Sequence, residues 1–190
     1  MFGPGDLGFF ERVAPLYDLV MPPASGEALA DGLALAERPI DRLLDVGGGS
    51  GRAAAALTGP EITVVDASLG MLGRARRVRG LDALAGDATR LPVRDGSVDA
   101  VIIVDALHHL PDADAAFAEV ARVLAPGGAL VVSEFDPDHP LGRAIELGER
   151  AIGMQSTFFT PDELAERVAA HGLRPSVLNR GFGYTVVGVR

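Results

Sequence analysis

The sequence contains no cysteine and no lysine; all 17 of its basic residues are arginine. Without cysteine there are no disulfides, no Cys-ligated zinc, no iron–sulfur cluster and no thiol nucleophile. Without lysine there is no Tyr-x-x-x-Lys pair for hydride-transfer chemistry. The lysine-free composition fits a GC-rich genome or a salt-adapted host equally. Positive charge is scarce overall: 26 acidic residues against 17 basic give a net charge of −9. A polyanionic partner is repelled on average, so no nucleic acid is expected. Arg74, Arg76, Arg77 and Arg79 form a local basic cluster, readable as a patch or as a solvated helix face. Long apolar runs are also missing: none approaches the ~18–20 residues of a membrane span. No basic segment followed by an apolar core opens the chain, so a secretory leader is not expected and the expected location is cytoplasmic.

What remains is an ordinary globular composition, with 190 residues, 48% hydrophobic and 23% charged. That length suits a single domain with a core large enough to fold without staples. Residues 1–40 read as an N-terminal helical cap and 41–190 as the core of that one domain. Leu7–Val20 carries Phe9, Phe10, Val13, Leu16 and Val20 at helical spacing, interrupted by Pro15. A second helix is expected over about Gly26–Glu37, ending before Pro39.

From Arg42 short apolar runs alternate with helical segments. Strands are expected at Leu43–Val46, Ile62–Val65, Leu84–Ala85, Val98–Val104 and Ala129–Ser133. Helices are expected over Arg52–Leu57, around Leu69–Leu72 and over Asp112–Leu124, the last ended by Pro126-Gly127-Gly128. Nearly all-apolar strands alternating with helices indicate a parallel sheet covered on both faces. Thr160-Pro161-Asp162-Glu163 is a capping box opening a helix through about Ala170. The strands near Pro175–Asn179 and Tyr184–Val189 are joined too tightly for a parallel crossover, so they must be antiparallel. The expected fold is therefore α/β: a Rossmann-like, doubly wound, mostly parallel sheet with a C-terminal antiparallel hairpin strand.

The first strand runs into Gly47-Gly48-Gly49-Ser50-Gly51. Glycines there allow a sharp turn and close backbone approach to a ligand at a helix start. Gly49-Ser50-Gly51-Arg52-Ala53-Ala54 also fits the dinucleotide fingerprint G-x-G-x-x-A, so this loop alone leaves an NAD(P)-linked oxidoreductase open. Asp66 ends the second strand, where a carboxylate can accept both ribose hydroxyls. Asp87, in Gly86-Asp87-Ala88 after the third strand, can accept from an adenine amino group, with Met71 and Leu91 near enough in sequence to cover the ring. The dinucleotide fingerprint does not call for that acid.

The ordered set DVGGGSG, VVD, GDA, DAVIIVDALHHL and RVLAPGGALVVSEF, from Asp41 to about Phe135, resembles the motif series of class I S-adenosylmethionine-dependent methyltransferases. The opening FFERVAPLYDLV and the ending FTPDELAERVAAHGLRPSVL resemble the ubiquinone/menaquinone-biosynthesis group. The resemblance implies S-adenosyl-L-methionine as cofactor. It implies that Asp45, Gly47, Gly49, Ser50 and Gly51 hold the methionine moiety and that Tyr17 lies over the cofactor. Asp66 would take the ribose, Met71 would pack on adenine, and Asp87 and Ala88 would meet its edge. Val104 and Asp105 would lie beside the sulfonium. The implied partner is a small, apolar or quinol-like acceptor, with peripheral membrane association if that acceptor is a lipid quinol. Asp136–Phe159 is short for the quinone enzymes and Arg180–Arg190 lacks their ending, which leaves the acceptor open.

No catalytic residue is assigned. Candidate bases at the ligand-bearing strand ends are His108, His109, Glu134, Asp136 and His139. No metal site is expected: adjacent histidines rarely converge on one ion, and no H-x-E or H-x-x-x-H companion accompanies them. A non-catalytic cofactor-binding module is the rival reading from outside the enzymes.

Overall fold

A computed structural model describes residues 6–14 and 25–190. Tyr17, Leu16 and Val20 lie outside the described residues. Two short helices, α1 (Leu7–Val13) and α2 (Gly26–Leu33), precede the sheet. Then follow β1 (Arg42–Val46), β2 (Glu61–Asp66), α3 (Leu69–Arg79), β3 (Asp82–Ala85), β4 (Val98–Val104), α4 (Ala113–Val123) and β5 (Leu124–Phe135). The chain closes with α5 (Pro140–Ala151), α6 (Pro161–Ala170), β6 (Arg174–Asn179) and β7 (Gly183–Val189).

The seven strands form one sheet in the order β3-β2-β1-β4-β5-β7-β6. β1 to β5 pair in parallel. β7 runs antiparallel to both β5 and β6, as the short Arg180–Phe182 link demands. Alternate residues of the central strands feed two cores, as period-two geometry requires. Val101, Ile103, Leu130 and Val132 face Phe117 and Val120 of α4 and Leu164 and Val168 of α6. Ala100, Ile102, Ala129 and Val131 face Leu29 and Leu33 of α2. α2 comes close because Gly32 has no side chain; a Cβ there would sit 2.8 Å from Val131 Cγ1.

Asp99, the one polar residue in the β4 run, clamps the base of the sheet. Its Oδ2 accepts from the N–H groups of Asp41 and Arg42 at 3.0 and 2.9 Å, and its Oδ1 meets Arg38 Nε at 2.8 Å.

Three expectations are corrected and one helix is added. The helix expected over Arg52–Leu57 is only a 3₁₀ turn, Ala54–Ala56. The run between Gly51 and Gly59-Pro60 is too short to repay helix nucleation. The Pro126-Gly127-Gly128 segment does not separate α4 from its strand; β5 starts at Leu124 and passes through it, with a shift in its register against β4. Gly127 takes φ +78° there, and its N–H donates to Arg190 O. α2 stops at Leu33, short of Glu37, whose N–H donates instead to Gly127 O. Residues 140–151, to which the sequence reading assigned no element, form α5; Pro140 occupies its first turn and His139 Nδ1 caps it by accepting from Leu141 N–H.

Candidate active site

A cavity of about 600 Å³ opens beyond the carboxyl ends of the parallel strands. This is where open α/β sheets place ligands, because neighbouring connections part there. Each strand delivers one piece of its wall: Gly47–Gly49 after β1, Asp66 at the end of β2, Gly86–Ala88 after β3, and Val104–Ala106 at the end of β4.

The glycine loop is shaped by contacts that leave no room for side chains. Gly47 and Gly49 have φ of +69° and +56°, the left-handed region glycine enters freely. Beneath the loop lies Asp45, wholly buried. A Cβ on Gly48 would sit 2.4 Å from Asp45 Cγ, so this position requires glycine too, although the sequence reading assigned it no role. Asp45 Oδ2 accepts from Ala54 N–H at 3.3 Å, while Oδ1 is buried with no hydrogen-bond partner among the described residues. Burial pushes the Asp45 carboxyl up to about 7, opposed mainly by the Ala54 N–H.

Asp66 is fixed from both sides. Its Oδ2 accepts from Gly49 N–H at 2.8 Å and its Oδ1 from Ser68 N–H at 2.7 Å. Each oxygen retains a lone pair, so a ligand diol can still donate to it. Burial raises its pKa against those two N–H groups. Ser68 also caps α3, accepting from Met71 N–H, which brings Met71 to the cavity wall beside Gly49. Asp87 Oδ1 accepts from the N–H and the hydroxyl of Thr89, both at 2.8 Å, which orients the carboxylate at the outer rim.

The rest of the lining is largely apolar: Leu7 and Phe10 of α1, with Ala106, Leu110 and Pro111, and His109, whose ring meets Phe10 edge-on at 4.9 Å. Asp105, also on the lining, has φ +50° and pairs with Arg52 Nη2 at 2.8 Å. Burial raises the Asp105 pKa, and the Arg52 hydrogen bond opposes it. Arg52 was not assigned from sequence, since only the folded loop brings it to β4.

Of the cofactor residues expected from sequence, Gly47, Gly49, Asp66, Met71, Asp87, Ala88, Val104 and Asp105 share this one wall. Asp45, Ser50 and Gly51 lie behind it: Asp45 and Ser50 are fully buried, and a Cβ on Gly51 would meet Leu81 Cδ1 at 2.4 Å. They support the loop rather than face the cavity.

Among the five candidate bases, His109 is the one on the cavity wall. Its Nδ1 lies 3.3 Å from both Asp6 Oδ2 and Ser156 Oγ. Burial, with His108 beside it, lowers the His109 pKa to about 2, leaving the ring neutral. Glu134 is committed to structure: its Oε1 accepts from Ala106 and Leu107 N–H, and its Oε2 lies 2.6 Å from His108 Nδ1. Burial works against a charge on His108, but the adjacent Glu134 carboxylate outweighs it and raises the pKa. Asp136 and His139 both order the approach to α5.

The wall suits an adenosine-bearing cofactor. The diol acceptor Asp66, the rim acceptor Asp87 and the side-chain-free loop occur together. Comparison with known proteins agrees. Residues 44–132 match the family model described as a methyltransferase domain. The chain is 41% identical over 141 residues to a demethylmenaquinone methyltransferase of Beutenbergia cavernae, covering 67% of this chain and 57% of that protein. It is 41% identical over 143 residues to the enzyme of that name from Thermus thermophilus, covering 67% and 64%. It thus spans less than two thirds of these relatives' length. A Thermotoga maritima structure described as an S-adenosylmethionine-dependent methyltransferase, possibly acting on histamine nitrogen, superposes with TM-score 0.78 at 27% identity over 95% of this chain and 97% of that one. By its fold, its matching segment and its relatives, the chain is similar to the class I S-adenosylmethionine-dependent methyltransferases.

Proposed function

We propose that this chain transfers a methyl group from S-adenosyl-L-methionine to a small, apolar, quinol-like acceptor. The observation that carries the reading is one cavity whose lining combines two unlike sets of residues: the acceptors Asp66 and Asp87 with the glycine loop, and the apolar Leu7, Phe10, Leu110 and Pro111. Asp66 accepts from the ribose hydroxyls, Asp87 accepts from the adenine amino group through its free oxygen, and Met71 covers the ring. Gly47 to Gly49 let the methionine portion approach the backbone, braced from behind by Asp45, Ser50 and Gly51. Val104 and Asp105 stand beside the reacting centre.

The bound cofactor supplies a methyl group already activated on a sulfonium. The protein's task is alignment and exclusion of water. The apolar residues of the lining, Leu7, Phe10, Leu110 and Pro111, exclude water from the acceptor. The relatives' name supports a demethylated naphthoquinol as the acceptor class. A cytoplasmic enzyme with peripheral membrane contact suits such a lipid; among the described residues no helix is long and apolar enough to cross a membrane.

The test is incubation of the purified chain with methyl-labelled cofactor and a short-chain demethylnaphthohydroquinone. Label should appear in the quinol, with S-adenosylhomocysteine formed alongside. Tight cofactor binding without turnover across quinol, phenol and amine acceptors would contradict the proposal and favour a non-catalytic module.

A further inference from the structure

Beside the apolar part of the cavity lining lies a cluster the proposed methyl transfer does not use. One imidazole nitrogen each of His108 and His109 and one carboxylate oxygen of Glu149 lie within 4.8 Å of one another. The two histidines follow β4; Glu149 comes from the last turn of α5, forty residues on in the chain. We propose that these three side chains form a site for a single divalent transition-metal ion of the zinc class. The inference stands independently of the acceptor.

Four features support it. First, the donor set of two imidazoles and one carboxylate is one that zinc takes in sites with three protein ligands and an open position. Second, each histidine has a further carboxylate beside it. Glu134 Oε2 lies 2.6 Å from His108 Nδ1, on the opposite ring nitrogen from Glu149. Asp6 Oδ2 lies 3.3 Å from His109 Nδ1. Metal-binding histidines are oriented in this way, by donating the remaining ring N–H to a carboxylate. Third, Glu149 Oε2 is buried and has no hydrogen-bond partner among the described residues. Fourth, three carboxylates with side-chain exposures of 1% (Asp6), 4% (Glu134) and 18% (Glu149) converge on the two rings.

The geometry is within reach of an ion. His108 Nε2 lies 3.7 Å from Glu149 Oε1. Bonds of ~2.0–2.2 Å to nitrogen and oxygen hold ligand atoms about 3.4 Å apart around a tetrahedral ion, so the cluster closes by up to about 1.5 Å. Phe158 stacks on His108 at 4.4 Å and Phe10 meets His109 edge-on at 4.9 Å, holding the rings in place. The fourth position would open toward the cavity, because His109 lies on its wall. Such an ion would tie α5 and the start of α1, through Asp6, to the loop after β4.

The test uses tag-free full chain, stripped with chelator, dialysed, and titrated with zinc sulfate. Bound metal is measured after gel filtration, and melting temperature is followed alongside. One zinc per chain and a raised melting temperature are expected. Glu149→Gln and His109→Asn should each weaken zinc binding at least about tenfold while retaining S-adenosylhomocysteine binding. His139→Asn and His171→Asn, outside the cluster, should leave it unchanged. Failure of the stripped wild type to retain zinc, or equal retention in all four variants, would overturn the proposal. Should the cluster variants fail to fold, cobalt titration of the wild type decides. Visible d–d absorption displaced by zinc supports the site; its absence overturns it.

Discussion

Gly48→Ala is a sharp probe of how the cofactor loop is built. The backbone at this position is not in the left-handed region, so the substitution acts through contact alone. The new Cβ would lie 2.4 Å from Asp45 Cγ and 2.5 Å from Oδ2, where apolar and polar atoms normally keep well over 3 Å. Asp45 is fully buried, so neither partner moves freely. Overpacking of this kind costs ~1–3 kcal/mol, or a fall in melting temperature of roughly 2–12 °C for a chain of this size. The decisive experiment is a double-mutant cycle by thermal or urea denaturation. With Asp45→Ala already present the clash is gone, and Gly48→Ala should then cost under ~0.5 kcal/mol, giving a coupling of ~1–3 kcal/mol. As a comparison, Gly148→Ala, with nothing within 4 Å of its Cβ, should stabilise α5 slightly. An equal cost of Gly48→Ala in both backgrounds would refute the placement of Asp45 beneath the loop.

Three further outcomes follow from the same structure. Asp45 has its folded pKa raised from 3.8 to about 7, so the unfolded chain loses that proton first and stability should fall as pH rises from about 4 to about 7. The contribution is up to about 4 kcal/mol; Asp45→Asn should flatten that part of the curve, and parallel urea-denaturation profiles for the two proteins would contradict it. Asp66→Ala should weaken S-adenosylhomocysteine binding by ~1–3 kcal/mol through lost ribose bonds, read by titration calorimetry; unchanged affinity in the folded variant would remove Asp66 from the ribose. Asp99→Ala leaves two strand-entry N–H groups and Arg38 without their acceptor and should cost ~2–3 kcal/mol in denaturant, against a refuting loss below ~0.5.

The sheet was readable in the sequence because parallel strands are buried on both faces and so appear as apolar runs ended by a single functional residue. Asp66, Asp87 and Asp105 each stand at such an end, and all three line the cavity. The glycine loop was equally plain, but which of its residues face a ligand was not. Ser50 and Gly51 are held inward by Arg79 and Leu81, far along the chain, which spacing cannot express, and Asp45 by the turn that brings Gly48 and Ala54 over it. α5 escaped notice because its apolar residues point outward: Leu141 is 57% exposed and Leu147 61%, and Gly142 is its only fully buried residue. With that helix unread, Glu149 had no place beside His108 and His109. Arg52 was hidden because its partner Asp105 lies on another segment, and Glu134, named as a candidate base, was not foreseen as the partner of His108.

Comparative thermal shift with S-adenosylhomocysteine, NAD⁺ and NADH separates the two cofactor classes. A ligand that binds only the native state stabilises it by ~2.7 kcal/mol at a hundredfold excess over Kd and raises the melting temperature accordingly. Stabilisation by S-adenosylhomocysteine and none by either nicotinamide cofactor is expected. Stabilisation by NAD⁺ or NADH alone would contradict the roles given to Asp66, Met71 and Asp87, while leaving the sheet and its strand order as they stand.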